Sequence, residues 1–328
     1  MRILSGDVGG TKTALAIVEL SGSRCRISRL ERYPSAGHRG LEEIVAAFLS
    51  TERRRPEAAG FGVAGPVRGG RSRITNLGWQ LDEGVLARRA GVSRVTLVND
   101  FGANALGLRY LGARQLTTLI PGRRDPRGPV ALLGAGTGLG QAALVRHGGV
   151  DTVVPSEGGH VDFGPRTDLE DRLVAFLRER FGRATRERVL SGSGLVLLYE
   201  FLARSGQPRP SRATEARLRG AEDRAAEISA LGLARRDRLC RAALELFAEI
   251  YGSEAGNLAL QYRATGGVYL AGGIAPKILP VLRSRAFVRA FRAKPPMEAL
   301  LAGIPVRVVL DPRLGLYGAA AAAARRGT

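Results

Sequence analysis

Two segments of the chain share one hydrophobic pattern, in which an apolar run, a glycine-rich turn and a second apolar run follow each other. The first segment covers residues 3–18 and the second covers residues 130–145. Each pattern predicts a strand, a tight turn and another strand. The chain therefore carries a crude internal repeat, with one copy in each half. At 328 residues it also exceeds the size at which a single hydrophobic core stops growing, so two lobes are predicted.

Helical and extended patterns alternate along the rest of the chain. Helical spacing of apolar residues is found at 40–49, 104–111, 169–181, 194–203 and 221–260. Strands are predicted at 60–63, 95–98, 267–271 and 306–310. This alternation predicts an α/β fold in each lobe. Prolines among charged residues indicate a surface loop at 205–217, and the alanine run at 319–324 is expected to form a packed terminal helix.

The amino-acid composition indicates the cellular compartment of the protein and the classes of partner that it could bind. The two cysteines are too few for a disulfide scaffold or a four-cysteine zinc site, which fits a reducing compartment. Neither a secretory signal nor an apolar stretch of membrane-spanning length is apparent, so a cytoplasmic protein without a membrane partner is expected. The net charge is +20, but almost all of the positive charge is arginine spread along the chain, and a nucleic-acid partner is therefore not expected.

The first glycine turn, from Gly6 to Thr13, is not a P-loop. That motif requires Gly-Lys-Ser/Thr before a helix, whereas here Thr11 precedes Lys12 and a strand follows. What remains is either an ordinary hairpin or a turn whose consecutive backbone N–H groups cradle an anion. Asp7, at the end of the preceding strand, could hold Mg²⁺ through water. The second turn, in the other half, favours phosphate binding, because two such turns could grip the phosphates of one nucleotide.

Two further segments carry polar groups suited to chemistry. Asp100 lies where a strand ends and a helix begins, so it could be a general base or only the cap of that helix. Glu157 and His160 flank a pair of glycines. A metal site is the weaker interpretation of this pair, because the chain has three histidines in all and no second cluster of ligands nearby. Carboxylate, imidazole and amide groups that converge in a cleft suit the hydroxyl groups of a sugar equally well.

Six motifs occur in a characteristic order. They are Asp-Val-Gly-Gly-Thr-Lys at 7–12, Asn-Asp-Phe at 99–101, Gly-Ala-Gly-Thr-Gly-Leu-Gly at 134–140, Ser-Glu-Gly-Gly-His-Val-Asp-Phe at 156–163, Glu-Arg-Val-Leu-Ser-Gly-Ser-Gly-Leu at 187–195 and Leu-Ala-Gly-Gly-Ile at 270–274. Together they resemble the bacterial glucokinase family, and the resemblance runs from about Ile3 to Ala322.

The resemblance implies an α/β, two-lobed actin-like ATPase (ribonuclease H-like) fold, in which ATP and glucose bind in a hinged cleft. The small lobe would comprise residues 1–107, completed by a C-terminal helix at 315–328, and the large lobe would comprise residues 108–314. The implied activity is that of a glucokinase, which transfers the γ-phosphate of ATP to the 6-hydroxyl of glucose with the help of Mg²⁺. A homodimer is implied as well.

The resemblance also implies roles for individual residues. Asp100 matches the catalytic base of the family. The residues that match glucose contacts are Asn76, Asn99, Asp100, Glu157, His160 and Glu187. The residues that match nucleotide contacts are Asp7, Gly9, Gly10, Thr11 and Lys12 in the first turn, Gly134, Gly136, Thr137 and Gly138 in the second turn, and Gly272 and Gly273 on the adenosine side. Asp7 is the expected Mg²⁺ ligand.

One departure from the family keeps an alternative open. Lys12 replaces the usual asparagine, and this form of the turn is also similar to the related repressor-kinase-ORF sugar kinases. Those relatives typically carry a cysteine-rich zinc motif, whereas no cysteine lies between Cys25 and Cys240 here. The alternative function is a related sugar kinase that acts on another hexose or uses another phosphoryl donor. A third hypothesis is a catalytically silent sugar sensor or a nucleic-acid-binding regulator that exploits the net charge of +20. Asp100 and the two glycine turns argue against it, since a pure binder needs no base.

Overall fold

The computed structural model describes residues 1–22, 24–206 and 208–325. In chain order the strands are β1 (Arg2–Val8), β2 (Lys12–Ser21), β3 (Arg24–Pro34), β4 (Ala58–Val63), β5 (Val67–Arg68), β6 (Arg71–Ile74), β7 (Trp79–Asp82), β8 (Val95–Asn99), β9 (Leu116–Ile120), β10 (Val130–Ala135), β11 (Leu139–His147), β12 (Val150–Ser156), β13 (Gly267–Ala271) and β14 (Val306–Val309). The α-helices are α1 (Leu41–Ser50), α2 (Glu83–Ala90), α3 (Asp100–Gly107), α4 (Asp168–Phe181), α5 (Arg186–Val189), α6 (Gly192–Arg204), α7 (Arg212–Arg219), α8 (Arg224–Leu233), α9 (Arg238–Gln261), α10 (Leu279–Leu282), α11 (Arg285–Arg292), α12 (Glu298–Gly303) and α13 (Leu314–Ala324).

The chain divides into two compact units. The first unit holds Met1–Gln115, His147–Pro155 and the chain from Asp311 onward, and the second holds Leu116–Arg146 and Ser156–Leu310. The lobe boundaries expected from the sequence, 1–107 with 315–328 and 108–314, remain a proposal. Residues 326–328 of the expected C-terminal helix lie outside the described residues.

The main sheet of the first unit has the strand order β3–β2–β1–β4–β8. Strand β1 is antiparallel to β2 and parallel to β4, and β4 is parallel to β8. Val8, Val63 and Asn99 therefore share one row at the carboxyl ends of the three parallel strands. Because these ends lie at one edge of the sheet, Asp7 and Asp100 are brought to the same edge. In open α/β sheets this is the edge where ligands bind.

Small residues let helix α13 pack closely on this sheet. A β-carbon on Gly60 of β4 would overlap the carbonyl of Ala319 in the helix. The buried hydroxyl of Ser5 donates to the carbonyl of Leu316 at 2.6 Å. The alanines from 319 to 323 are all buried, which confirms the packed terminal helix predicted from the alanine run.

The sheet of the second unit repeats the arrangement of the first. Within this unit, the strands of the sheet follow the order β11–β10–β13–β14–β9, with β10 antiparallel to β11 and parallel to β13. In both units the first strand of a hairpin thus pairs in parallel with a strand that arrives later in the chain. The long helix α9 contributes Phe247 and Tyr251 to the core of this unit. The internal repeat predicted from the hydrophobic pattern is confirmed.

One local prediction was wrong in part, and the structure divides a second predicted region into two helices. The segment 205–217, of which residue 207 lies outside the described part, was expected to be a loop but contains most of α7. Ser211 begins this helix, because its side chain accepts a hydrogen bond from a backbone N–H of the first turn. The helical region 221–260 is two helices, separated where Arg235 adopts a left-handed φ of 54°. None of the helices in the described ranges is long and apolar enough to cross a membrane.

Candidate active site

The first glycine turn joins β1 to β2 and is fixed from outside the motif by Ser35. Within the turn, the N–H of Gly9 donates to the carbonyl of Lys12 at 3.1 Å. The Ser35 hydroxyl donates to the carbonyl of Gly9 at 2.8 Å, and its N–H donates to the carbonyl of Thr11 at 2.9 Å. This hydroxyl also lies 3.0 Å from Thr13 Oγ1. Ser35 was missed from the sequence, where it stands beyond β3 and belongs to no motif.

Asn76 lies beside this turn. It occupies a short 3-10 turn, Thr75–Leu77, that ends at Gly78 with a φ of 68°. A β-carbon added to Gly10 would be 3.8 Å from both Cβ and Nδ2 of Asn76. A residue expected to contact sugar and a residue expected to contact phosphate are therefore neighbours in the first unit.

Asp7 is half-buried at the end of β1. Its carboxyl group lies against helix α13, where a β-carbon on Gly315 would be 3.2 Å from Asp7 Cγ. Burial, and then the negative charge of Asp100, raises the pKa of Asp7 to about 6. A cation would relieve both effects. Within the described residues no group of three or more His, Cys, Asp and Glu side chains forms a metal cage. One or two carboxylates together with substrate phosphates and water is the donor set that Mg²⁺ commonly takes.

Helix α3 presents Asp100 and is capped by its neighbour. Asn99 Oδ1 accepts hydrogen bonds from the N–H groups of Phe101 at 3.0 Å and Gly102 at 3.2 Å, and Asn99 Nδ2 donates to the carbonyl of Gly65 at 3.2 Å. Asp100 is the first residue of the helix, and its Oδ1 accepts from the N–H of Phe101 at 2.8 Å. Asn99, not Asp100, therefore occupies the N-cap position of this helix.

The second glycine turn joins β10 to β11. Gly134 lies at the end of β10, and Thr137 is exposed at the tip of the turn. The N–H of Gly136 donates to the carbonyl of Gly138 at 2.9 Å. The carbonyl of Gly136 in turn accepts from the N–H of Gly192, at the start of α6, at 2.9 Å. The turn is thus closed on itself and anchored to the beginning of a helix.

The turn expected on the adenosine side, Gly272 and Gly273, lies next to the second glycine turn. A β-carbon on Gly272 would be 2.5 Å from the carbonyl oxygen of Ala135, and Gly272 has a left-handed φ of 81°. Both facts require glycine at this position. The N–H of Ile274 also donates to the carbonyl of Ala135, at 3.2 Å. The structure therefore brings together all of the nucleotide positions predicted in the second unit.

Glu157 and His160 are exposed at a short turn after β12. The glycine pair between them is packed rather than free. A β-carbon on Gly158 would overlap the side chain of Gln141, and one on Gly159 would overlap the carbonyl of Leu139. Glycine is needed here because the turn lies directly against β11.

Glu187, in α5, contacts the second glycine turn. Its Oε2 accepts a hydrogen bond from the N–H of Leu139 at 2.9 Å. Its Oε1 lies 4.0 Å from His160 Nδ1. The structure therefore brings Glu187 and His160, two of the residues expected to contact sugar, together beside β11.

A buried polar network under this region was missed from the sequence. Glu254 of α9 is 4% exposed, and its Oε1 accepts from Arg186 at 2.7 Å and from the Gln141 side chain at 2.9 Å. Its Oε2 accepts from Asn257 Nδ2 at 2.9 Å. Burial raises the pKa of Glu254, and the positive charge of Arg186 opposes the shift. Arg186 adjoins Glu187 and Gln141 packs on Gly158, so the network supports the residues expected to contact sugar.

Comparison with solved structures shows to which class of protein this fold belongs. A glucokinase from an Antarctic psychrotroph is 33% identical, with a TM-score of 0.86 over 98% of both chains. A ROK family glucokinase from Streptomyces griseus, solved in complex with glucose and AMPPNP, is 23% identical, with a TM-score of 0.66 over 98% of this chain and 99% of that chain. The molecule therefore has the two-lobed actin-like ATPase fold of sugar kinases, as predicted.

Sequence comparison narrows the class to one family. The glucokinase family model matches residues 4–326. The glucokinase of Nostoc punctiforme is 42% identical over 98% of this chain and 99% of its own length, and that of Chromobacterium violaceum is 40% identical over 97% of this chain and 88% of its own length. The chain belongs to the glucokinase family of ATP-dependent hexose kinases. The predicted family and enzyme class are confirmed.

Proposed function

We propose that the protein transfers the γ-phosphate of ATP to the 6-hydroxyl of glucose and that Asp100 is the general base. The observation that carries this proposal is the placement of Asp100, which Asn99 fixes at the start of α3 and at the ligand-binding edge of the first sheet. Asp100 accepts the proton of the 6-hydroxyl as the sugar oxygen attacks the γ-phosphorus. The bond from that phosphorus to the β–γ bridging oxygen breaks, and ADP leaves.

We propose that the two glycine turns bind the phosphates of ATP. Backbone N–H groups in such turns carry partial positive charge and bind anions without obstruction by side chains. The residues of this role are Gly9, Gly10, Thr11 and Lys12 in the first turn, and Gly134, Gly136, Thr137 and Gly138 in the second. Gly272 and Gly273 would contact the adenosine side. Asp7 would hold Mg²⁺ through water, and the ion would supply charge neutralisation for the phosphates.

We propose that Asn76, Asn99, Glu157, His160 and Glu187 bind the hydroxyl groups of glucose. Carboxylate, imidazole and amide groups can pair with hydroxyl groups as donors and acceptors. A site that pairs each hydroxyl rejects analogues that lack a partner group by roughly 10⁴-fold. Selectivity among hexoses therefore tests this assignment directly.

A cytoplasmic location and a homodimer are part of the same proposal. Cys25 and Cys240 are both free thiols, which fits a reducing compartment. Sedimentation equilibrium of the purified protein, at concentrations from micromolar upward, would give the mass of the assembly. A mass of one chain throughout would contradict the homodimer.

The function is tested with a coupled assay of ADP release. Mg-ATP is offered with glucose, mannose, fructose, galactose, N-acetylglucosamine or no sugar, to the native protein and to Asp100→Ala. We expect a strong preference for glucose and a loss of about 10²- to 10⁴-fold in kcat in the variant, with the fold intact. Asp171→Ala is the matched control, because Asp171 is also an acidic residue in the first turn of a helix, α4.

Three other outcomes of this assay would change the proposed function. Near-native turnover in folded Asp100→Ala would overturn the base assignment. Turnover of another sugar would keep the mechanism and reassign the substrate. Absence of turnover with ATP would direct the assay to ADP or polyphosphate as donor, which is the alternative function.

A further inference from the structure

Glu187 contacts both kinds of site residue in the second unit. One carboxylate oxygen, Oε2, accepts the N–H of Leu139, the residue that immediately follows the second glycine turn, at 2.9 Å. The other oxygen, Oε1, is 4.0 Å from His160 Nδ1. The Glu187 side chain is 35% exposed, so it also remains accessible to a ligand.

Gly138 shows how closely the carboxylate fits the turn. A β-carbon on Gly138 would be 2.5 Å from Glu187 Oε2 and 3.3 Å from its Cδ, with no other group so near. Gly138 does not have the left-handed φ that would demand glycine for conformational reasons. The space that the missing side chain leaves is therefore occupied by the carboxylate of Glu187.

We propose that Glu187 couples the binding of sugar to the binding of nucleotide. Through Oε2 it holds the second glycine turn in shape for phosphate, and through Oε1 it faces His160 and the sugar. This inference rests on the proposed function, which assigns glucose to Glu187 and phosphate to the turn. If sugar and nucleotide both act on the position of Glu187, each ligand changes the affinity of the protein for the other, because binding linkage is reciprocal.

A coupling role for Glu187 and a role as a sugar ligand alone predict different effects on nucleotide affinity. A simple ligand would affect glucose affinity and leave nucleotide affinity unchanged when no sugar is present. A coupling residue would affect both. Equally, a substitution in the glycine turn that displaces Glu187 would weaken glucose binding when no nucleotide is present.

The first experiment measures binding of Mg-AMPPNP without sugar by isothermal titration calorimetry. We expect Glu187→Ala to raise the dissociation constant about 10-fold or more, because the turn loses the charge-assisted hydrogen bond between Glu187 and the N–H of Leu139. Glu187→Gln should recover most of the affinity, because its amide oxygen can still accept the N–H of Leu139. Unchanged affinity in Glu187→Ala would overturn the proposal.

The second experiment measures glucose binding without nucleotide. Gly138→Ala should weaken glucose binding several-fold, because the added methyl group displaces the carboxylate of Glu187. Gly303→Ala is the control in the same unit, since nothing lies within 4 Å of its β-carbon position and Gly303 is not one of the proposed site residues. We expect the control to leave glucose affinity unchanged. Equal glucose affinity in the two alanine variants would overturn the proposal.

The double variant separates coupling from a general disturbance of the turn. If Gly138→Ala acts through Glu187, its effect on glucose affinity should disappear in the Glu187→Ala background. Additive effects would contradict the proposal. Absence of glucose binding by the native protein would instead overturn the proposed function, so the two failures are distinguishable.

Discussion

The negative charge of Asp100 raises the pKa of Asp7. Burial is the larger cause, and together the two effects bring the pKa of Asp7 to about 6. The two residues reach one edge of the first sheet because β1 and β8 both run parallel to β4. A half-buried carboxylate beside a second carboxylate is unfavourable unless a cation is added. The pKa shift of Asp7 therefore shows an electrostatic environment that a bound cation would stabilise.

Removal of the charge on Asp100 should lower the pKa of Asp7. In Asp100→Asn the repulsion is lost and burial remains, so Asp7 should titrate below the value of about 6 and still above its ordinary value near 3.8. Carboxyl ¹³C NMR titration of the metal-free protein would measure this. Asp82→Asn, which removes a charge elsewhere in the same unit, should leave the titration unchanged. A midpoint that does not move in Asp100→Asn would contradict the electrostatic relationship.

Asn99 should affect both stability and turnover, because it caps the helix that carries Asp100. Asn99→Ala removes an N-cap, which costs about 1 kcal/mol in the free energy of unfolding. It should also lower kcat, since the first turn of α3 is no longer fixed to the carbonyl of Gly65. Urea denaturation and the coupled assay measure the two effects.

A second cap supplies the control for Asn99. Ser211 caps α7 in the same way, by accepting the N–H of Thr214 at 3.0 Å, and none of the proposed site residues lies in that helix. Ser211→Ala should therefore lose similar stability without loss of kcat. Equal kcat values in Asn99→Ala and Ser211→Ala would contradict a role for Asn99 in positioning Asp100.

The residues of the site that lie in sequence motifs could be predicted from the sequence. The residues that support them from elsewhere in the chain, Ser35 and Glu254, could not. Sequence motifs can be recognised because the residues that define them are adjacent in the chain. This holds for the glycine turns, for Asp100 between a strand and a helix, and for the Glu157–His160 segment. Ser35 is 26 residues from Gly9, and Glu254 is 113 residues from Gln141. Only folding brings such pairs together, and a serine or glutamate outside a motif has no pattern that marks it.

The cap at α3 shows a different limit. A carboxylate at the start of a helix is typical both of a cap and of a catalytic acid or base, so sequence pattern leaves Asp100 ambiguous. The hydrogen bonds of Asn99 show that Asn99 occupies the N-cap position, and the role of Asp100 as a general base stays a prediction. The packed state of Gly158 and Gly159 was equally hidden, since glycine serves flexibility and close approach alike.

Glu254 should control glucose affinity from beneath the site. In Glu254→Gln the partly exposed guanidinium of Arg186 loses its charged partner, and the loss of such a charge-assisted hydrogen bond costs about 1.5 to 3 kcal/mol. Arg186 and Gln141 then lose their common anchor, so Glu187 and the Glu157–His160 turn should be less well positioned. We expect the KM for glucose to rise about 10-fold or more, a shift that corresponds to 1.4 kcal/mol.

Glu170 provides a control for loss of a buried carboxylate in the same unit. It is 1% exposed and accepts a hydrogen bond from Arg166 at 2.6 Å, but it belongs to α4 and contacts none of the proposed site residues through a described hydrogen bond. Glu170→Gln should lose comparable stability with an unchanged KM for glucose. A similar rise in KM in both variants would show that KM follows stability, which would contradict a positioning role for Glu254.

Asp311 should make the first unit sensitive to acid. Burial alone would raise the pKa of Asp311, but hydrogen bonds from Arg313, Gln115 and Tyr317 outweigh burial and lower the pKa below its ordinary value. A lowered pKa in the folded state means that the ionised carboxylate stabilises the fold above the unfolded pKa of about 3.9. This contribution falls progressively as the pH drops below about 4, because the unfolded chain then binds a proton at this carboxyl group while the folded protein, with its lowered pKa, does not.

Asp311→Asn should therefore be less stable than the native protein at pH 7, by about 2 kcal/mol, because charge-assisted hydrogen bonds to a buried group are lost. The difference in free energy of unfolding should shrink as the pH is lowered from 5 to 3. Urea denaturation at these values measures it, with Asp82→Asn as a control that removes a more exposed carboxylate paired with Arg71 and should have a much smaller effect. A difference between Asp311→Asn and the native protein that stays constant with pH would show that the lost contribution is packing rather than charge.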